Sequence, residues 1–203
     1  MRIITVSREF GSGGRELGKR MADELGIAYY DKEIIVKIAE KVQLDEHYIE
    51  KELERNCTVH YPYTFRRSFA LTAPVHSQQP NLLAEQSKVI RELSEKEDCV
   101  IVGRAADVLL RGKHPFSIFV YAETEAKLKR CRERAPEHEN LTDWEKERRM
   151  KYIDKERAAN YALVTDFPWG DKRLYQLCVN TTSIEISELV PHVAAYAKIW
   201  LDK

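Results

Sequence analysis

The feature that most constrains the fold is a junction near the N-terminus, where an apolar strand meets a glycine-rich loop and then a helix. Residues 3–6 read Ile-Ile-Thr-Val, and residues 7–14 read Ser-Arg-Glu-Phe-Gly-Ser-Gly-Gly. Leu17, Met21 and Leu25 follow at helical spacing. A glycine-rich loop that opens onto a helix presents backbone N–H groups and the positive end of the helix dipole to an anion. The junction therefore predicts a phosphate-binding loop.

The loop departs from the strict P-loop motif, G-x4-G-K-[ST]. When its glycines are placed directly after the strand, Gly14 occupies the lysine position, and Arg15 and Glu16 follow where small or hydroxyl residues are usual. Arg15 is the local candidate to supply the missing charge, although its planar fork needs more room than a lysine. A glycine-rich turn that binds nothing is the alternative interpretation.

A dinucleotide-binding motif, G-x-G-x-x-G, is a second alternative, and it also fits imperfectly. Glu16 stands where that motif has its third glycine. Asp31, at the end of the second predicted strand, nevertheless lies about where the motif has its ribose-binding acid. A dinucleotide-binding oxidoreductase therefore stays open at this point.

Composition limits the classes of protein and of partner. A chain of 203 residues with 43% hydrophobic and 33% charged residues is typical of one globular domain, residues 1–203. The 33 basic residues balance the 33 acidic ones, which predicts no nucleic-acid and no membrane partner. Four cysteines stand singly, no stretch has transmembrane length, and we expect no signal peptide before the first strand. We expect a cytoplasmic protein, and a homodimer stays open.

Strand and helix patterns alternate along the chain. The predicted strands are residues 3–6, 27–30, 99–102, 116–121 and 177–180, and helical patterns separate them. This order predicts an α/β fold with a mostly parallel central sheet flanked by helices, in three layers. Residues 56–80 interrupt the pattern with prolines and aromatics, so we expect a functional or mobile segment there.

Several candidate residues follow the predicted strands, and parallel strands end on one rim where ligands bind. Arg104, directly after the buried run 99–102, is placed there to bind a phosphate. Arg149 and Arg157 share one face of the charged helix predicted for residues 143–161, with Asp154 three residues before Arg157. The pattern of that helix alone favours an ordinary solvated face.

Three stretches together resemble the cytidylate kinase-like branch of the nucleoside monophosphate kinases. They are ITVSREFGSGGRELGKRMADELGIAYYDKEII, CVIVGRAADVLL, and IDKERAANY with the later WGD and YQLCVNTT. The resemblance runs nearly end to end and is weakest over residues 44–80. It implies a P-loop kinase-like fold, with a monophosphate-binding insertion at about residues 37–85 and a lid at about 135–160.

The resemblance also implies a reaction, the transfer of the γ-phosphate of ATP to a nucleoside monophosphate such as CMP or dCMP, with Mg²⁺. The residues implied to bind ATP are Ser7, Gly11, Ser12, Gly13, Gly14, Arg15 and Glu16. Those implied on the monophosphate side are Asp31, Lys37, Arg104 and Asp154, and the implied catalytic cations are Arg15, Arg104 and Arg157. Because the loop lysine and the hydroxyl after it are missing, the metal ligands stay open, and so does a nucleotide-binding protein without kinase activity.

Overall fold

A computed structural model describes residues 1–54, 79–135 and 141–202. Over these ranges the chain forms five strands: β1 Ile3–Arg8, β2 Ala28–Tyr30, β3 Cys99–Val102, β4 Phe116–Tyr121 and β5 Leu177–Asn180. It also forms eight α-helices: α1 Gly14–Leu25, α2 Glu33–Val42, α3 Glu46–Glu54, α4 Gln79–Lys96, α5 Ala106–Leu109, α6 Thr124–Glu133, α7 Asp143–Ala162 and α8 Ile186–Leu201. Residues 56–78, in the segment that the sequence singled out, lie outside the described residues.

The five strands form one parallel sheet in the order β2-β3-β1-β4-β5. The central strand β1 pairs with two neighbours, and Ile4 lies between Val100 of β3 and Phe116 of β4. In the dinucleotide-binding fold β2 lies next to β1, whereas here β3 separates them. The strand order therefore excludes the dinucleotide-binding arrangement and places the glycine-rich loop at the end of the central strand.

Two apolar cores, one on each face of the sheet, make the fold three-layered. On one face α1 and α8 cover the strands, and the buried side chains include Leu17, Met21, Val190 and Val193. On the other face the helices from α2 to α5 bury side chains such as Ile38. The prediction of an α/β fold with helices on both faces is confirmed.

Helix ends follow local sequence signals. Thr142 and Glu145 form a reciprocal capping box that starts α7. Pro191 lies inside α8, which begins five residues earlier, at Ile186. None of the helices in the described ranges combines the length and the apolar character needed to cross a membrane.

Candidate functional site

The glycine-rich loop is shaped to receive an anion. Gly11 and Gly13 have left-handed backbones, with φ of 76° and 83°, which a glycine adopts without strain. Helix α1 starts at Gly14, and no side chain caps it. Because the first N–H groups of a helix have no partner within it, the start of α1 offers hydrogen-bond donors and the positive end of the dipole.

Two cavities open beside the loop, at the carboxyl ends of the strands. The loop cavity, of about 330 Å³, is lined by residues 8–11 and 13–15 and by Arg130, Cys131, Arg134, Ala135, Lys146, Arg149 and Arg157. The strand-end cavity, of about 570 Å³, is lined by Ser7, Asp31, Lys32, residues 103–105 and parts of α3, α4 and α7. Arg8, Phe10, Arg15 and Arg157 line both cavities and form the wall between them. Ligands bound in the two cavities would therefore contact the same four side chains.

Arg8, at the end of β1, is a residue of the site that the sequence analysis did not single out. Its side chain is 15% exposed, and its Nη2 lies 3.7 Å from a carboxylate oxygen of Asp31. Burial and the charges of Arg157, Arg104 and Arg15 together lower the pKa of Arg8 to about 9, and the charge of Asp31 acts against them. Arg8 therefore lies beside one carboxylate and under the influence of three other guanidinium groups.

Asp31, Arg15 and Arg104, which were predicted on one rim, all line the strand-end cavity. The Nε of Arg15 lies 2.6 Å from a carboxylate oxygen of Asp31, which is 8% exposed. Arg104 lines the strand-end cavity, and its backbone is left-handed at φ 58°, between Gly103 and Ala105, which are also left-handed. Non-glycine residues in this conformation cost free energy and cluster at functional sites. The structure thus holds Arg104 at the predicted rim in a strained turn.

Helix α7 attaches to the loop through the two residues of its predicted Asp-x-x-Arg pair. Asp154 accepts a hydrogen bond of 2.7 Å from the backbone N–H of Phe10. Arg157 donates from Nη1 to the carbonyl oxygen of Arg8 and to Asp154, both at 3.1 Å, and its guanidinium lies 5.8 Å from the centre of the Phe10 ring. This face of α7 is not an ordinary solvated face. Asp154 lines neither cavity and orients its neighbours instead.

A buried hydrogen-bond network supports the strand-end cavity. Asp107 accepts from the hydroxyl of Tyr161 at 2.6 Å and from that of Ser7 at 3.3 Å. Burial raises the pKa of the Asp107 carboxyl, and hydrogen bonds from Tyr161 and Ser7 act against this rise. Burial also raises the pKa of Tyr161. Ser7 was predicted among the ATP-binding residues, yet it lines the strand-end cavity rather than the loop cavity.

Three other predicted residues line neither cavity. Ser12 is fully buried, and its hydroxyl donates to the carbonyl oxygen of Glu9 at 2.8 Å. Glu16 forms ion pairs with Arg20 and Arg134 on the outside of α1. Lys37 lies in a groove between α2 and α4, beside Glu40, Lys41 and Glu92, so the structure does not bring it to the predicted monophosphate side.

The residues of the site do not fit a preformed protein site for Mg²⁺. Such sites usually offer one or two carboxylates together with substrate phosphates. Asp31 faces two arginines, and Glu9, the carboxylate of the loop cavity, pairs with Lys127 at 2.9 Å. Asp107 accepts from two hydroxyls, and the Ser12 hydroxyl donates to the backbone. Among the described residues, no group of three or more His, Cys, Asp or Glu side chains could hold a metal ion.

Comparisons with known proteins agree with this architecture. An uncharacterised protein from Eubacterium ventriosum has a similar structure, with a TM-score of 0.70 and 24% identity over 98% of this chain and 99% of that one. Shikimate kinase from Bacteroides thetaiotaomicron gives a TM-score of 0.57 at 15% identity, covering 100% of this chain and 99% of its own. A gluconokinase from Sinorhizobium meliloti gives 0.53 at 16% identity, covering 99% and 94%.

These similarities show a shared fold, that of the P-loop kinases, as the sequence predicted. No curated protein matches the sequence. A family model does match, over residues 3–183, and with the fold it supports a P-loop kinase that transfers a phosphoryl group. The chain belongs to the cytidylate kinase-like family.

Proposed function

We propose that the protein transfers the γ-phosphoryl group of ATP to a nucleoside monophosphate, with CMP or dCMP as the preferred acceptor. The observation that carries this proposal is the wall between the two cavities, where Arg8, Arg15 and Arg157 face both sides. A kinase must hold its donor and acceptor in line, surround the transferring group with cations and exclude water. Two adjoining cavities with a shared arginine wall meet the first two of these requirements.

ATP would lie in the loop cavity, with its phosphates against the loop and the start of α1. The cations of this cavity, which include Arg130, Arg134 and Lys146, suit a polyphosphate. Mg²⁺ would arrive with ATP as the counter-ion of its phosphates. The acceptor would lie in the strand-end cavity, with its phosphate near Arg104 and Arg15.

The reaction needs little covalent help from the protein. An oxygen of the acceptor phosphate attacks the γ-phosphorus of ATP, the bond to the β–γ bridging oxygen breaks, and ADP and a nucleoside diphosphate result. Because the attacking oxygen is already anionic at neutral pH, no general base is required. Arg15 and Arg157 would stabilise the charge on the transferring group, and Asp154 would keep Arg157 in place.

A second candidate is transfer to a hydroxyl group of a small acid, the kind of acceptor named for the shikimate kinase and the gluconokinase of similar fold. The observation that favours it is Asp31, a carboxylate in the strand-end cavity that is 8% exposed. A hydroxyl acceptor must lose a proton, and in this scheme Asp31, which pairs with Arg15 and Arg8, would accept it. The arginines would then bind the carboxylate of the acceptor.

One experiment separates these candidates. The purified protein is incubated with Mg-ATP and, in turn, each nucleoside monophosphate, shikimate and gluconate, and ADP and the phosphorylated product are measured. We expect turnover with CMP or dCMP. Turnover with a hydroxy acid alone would establish the second candidate. ADP formation with none of them, together with stabilisation by ATP in thermal unfolding, would leave a nucleotide-binding protein without kinase activity. A ligand at one hundred times its Kd stabilises by about 2.7 kcal/mol, which such unfolding detects.

A further inference from the structure

We propose that Arg8 does the work of the missing P-loop lysine: its guanidinium binds the transferring phosphoryl group, and two glycines create the passage for its side chain. This inference rests on the proposed function. Its first observation is that two positions of the P-loop motif, 8 and 14, have exchanged their residue types. In the motif G-x4-G-K the first glycine falls on position 8 and the lysine on position 14. The chain has arginine at the first position and glycine at the second, so the cation has changed places with the glycine.

The first glycine of the passage is Gly14. A Cβ atom at this position would lie 2.5 Å from the Cβ of Arg8 and 3.2 Å from that of Val120. Position 14 has helical backbone, so its conformation does not demand glycine. What demands glycine is the start of the Arg8 side chain, which occupies the space that a lysine at position 14 would need. The two exchanged residues are therefore coupled.

The second glycine lies at the other end of the arginine side chain. A Cβ atom at Gly103 would collide with Nη1 of Arg8. Gly103 is distant in sequence and follows β3, the strand next to β1. The Arg8 side chain therefore runs from the start of α1 to the end of β3, within the wall that the two cavities share.

The surroundings of the Arg8 guanidinium call for an anion. It has Asp31 at 3.7 Å, while Arg157, Arg104 and Arg15 are close enough to lower its pKa by their charges. Arg8 and Arg15 share the carboxylate of Asp31 in a largely buried site, two further guanidinium charges act on Arg8, and a bound phosphoryl group would relieve the repulsion. Arginine suits such a place because its guanidinium is weakly hydrated and can bind two oxygens of a phosphate at once.

The first test measures nucleotide binding, so that it does not depend on the identity of the acceptor. Wild type, Arg8→Met and Arg8→Lys are titrated with an ATP analogue that has a non-hydrolysable γ-phosphate, and with ADP, which lacks that phosphate. For Arg8→Met we expect affinity for the analogue to fall by about 100-fold and affinity for ADP to change less than twofold. Arg8→Lys keeps the positive charge but not the planar guanidinium that binds two oxygens at once. We expect its affinity for the analogue to fall by about tenfold. Arg91→Met, on the exposed face of α4, is the matched control and should bind both ligands as wild type does.

The second test exchanges the residues back. Gly14→Lys alone should lose turnover by about 10³-fold, because the new side chain collides with Arg8. Combining Gly14→Lys with Arg8→Gly restores the P-loop motif at both positions. The turnover of this double variant should be at least tenfold higher than that of Gly14→Lys alone. Thermal unfolding without ligand checks that each variant is folded. If Arg8→Met does not fold, Arg8→Lys and the double variant decide the outcome.

The outcomes distinguish this inference from the proposed function. Unchanged affinity for the ATP analogue in Arg8→Met and in Arg8→Lys would overturn the role of Arg8, whether or not wild type has kinase activity. Full turnover of Gly14→Lys alone would also overturn it. A wild-type protein that binds the analogue through Arg8 but phosphorylates no acceptor would overturn the proposed function and leave the role of Arg8 in place.

Discussion

The two cavities share a wall of arginines, yet their other residues differ in charge. Among the described residues, seven cations and one carboxylate, Glu9, line the loop cavity. Six cations line the strand-end cavity, with three carboxylates, a histidine and several aromatic side chains. Its carboxylates are Asp31, Glu50 and Glu156, and its aromatics include Tyr152 and Trp169. The excess of cations suits a polyphosphate, whereas the mixed lining suits a ligand with one anionic group and a larger neutral part.

If ATP and the acceptor occupy the two cavities as proposed, we expect recognition of the polyphosphate and selection of the acceptor to be separable. A residue of the shared wall should affect both substrates and the chemical step. A residue of one cavity alone should affect one substrate. Changes in the shared wall should therefore have the largest effects.

Replacing Arg157 by methionine should have the largest effect. The guanidinium lines both cavities and is held by Asp154 and the carbonyl oxygen of Arg8, so it would meet the transferring group rather than one substrate. We expect kcat to fall by about 10³-fold or more, as for catalytic arginines in other phosphoryl-transfer enzymes. Steady-state kinetics with ATP and the acceptor provide the measurement. Arg148→Met, an exposed arginine on the same helix, is the control, and equal turnover of the two variants would contradict the shared wall.

Replacing Arg104 by methionine should affect the acceptor side only. Arg104 lines the strand-end cavity and not the loop cavity. We expect the KM for the acceptor to rise by about 10- to 100-fold, the loss of one charge-assisted phosphate contact, while the KM for ATP stays within twofold. Kinetic titration of each substrate at saturating concentration of the other measures both values. A parallel rise in both would mean that the cavities do not act separately.

The sequence predicted the sheet well because each strand contains a short, mainly apolar run. Residues 99–102 form β3 as predicted, and β1 extends two residues beyond its prediction, to Arg8. The general rule that ligands bind at the carboxyl ends of parallel strands placed Asp31 and Arg104 on the same rim, where the structure has them. These inferences needed only local patterns and one rule of topology.

The role of Arg8 could not be predicted in the same way. Its burial depends on Gly14 and on Gly103, and Gly103 comes close only after β3 has paired with β1. The sequence does show that Arg8 stands at the position of the first glycine of the P-loop motif. The packing of its side chain against Gly14 and Gly103 becomes visible only in the folded structure. Lys37 shows the opposite case: its helix was predicted correctly, yet it faces the groove beside Glu92 and not the strand-end cavity.

Replacing Arg134 by methionine should have a modest effect on the loop cavity alone. Its side chain is 53% exposed and pairs with Glu16, and exposed pairs contribute at most about 1 kcal/mol. We expect the KM for ATP to rise by about three- to fivefold, with kcat and the acceptor KM unchanged. Initial rates against ATP concentration measure this shift. A change in the acceptor KM as large as that for ATP would contradict the separation of the cavities.

The smallest effect concerns the pH dependence of stability, through the buried network under the strand-end cavity. Burial raises the pKa of Asp107, so the folded protein binds a proton there at pH values where the unfolded chain has released it. In that range, above the ordinary Asp value of 3.8, the free energy of unfolding contributed by this group falls as pH rises. Asp107→Asn removes the titration and keeps an oxygen that accepts from Tyr161. Urea unfolding at a series of mildly acidic pH values should therefore show a less negative slope of unfolding free energy against pH for the variant.

Burial also raises the pKa of Asp154, which adds a slope of the same sign and keeps the variant from becoming independent of pH. The exposed Asp166→Asn is the control and should run parallel to wild type. An Asp107→Asn curve that also runs parallel would mean that Asp107 is ionised in the folded protein as readily as in the unfolded chain.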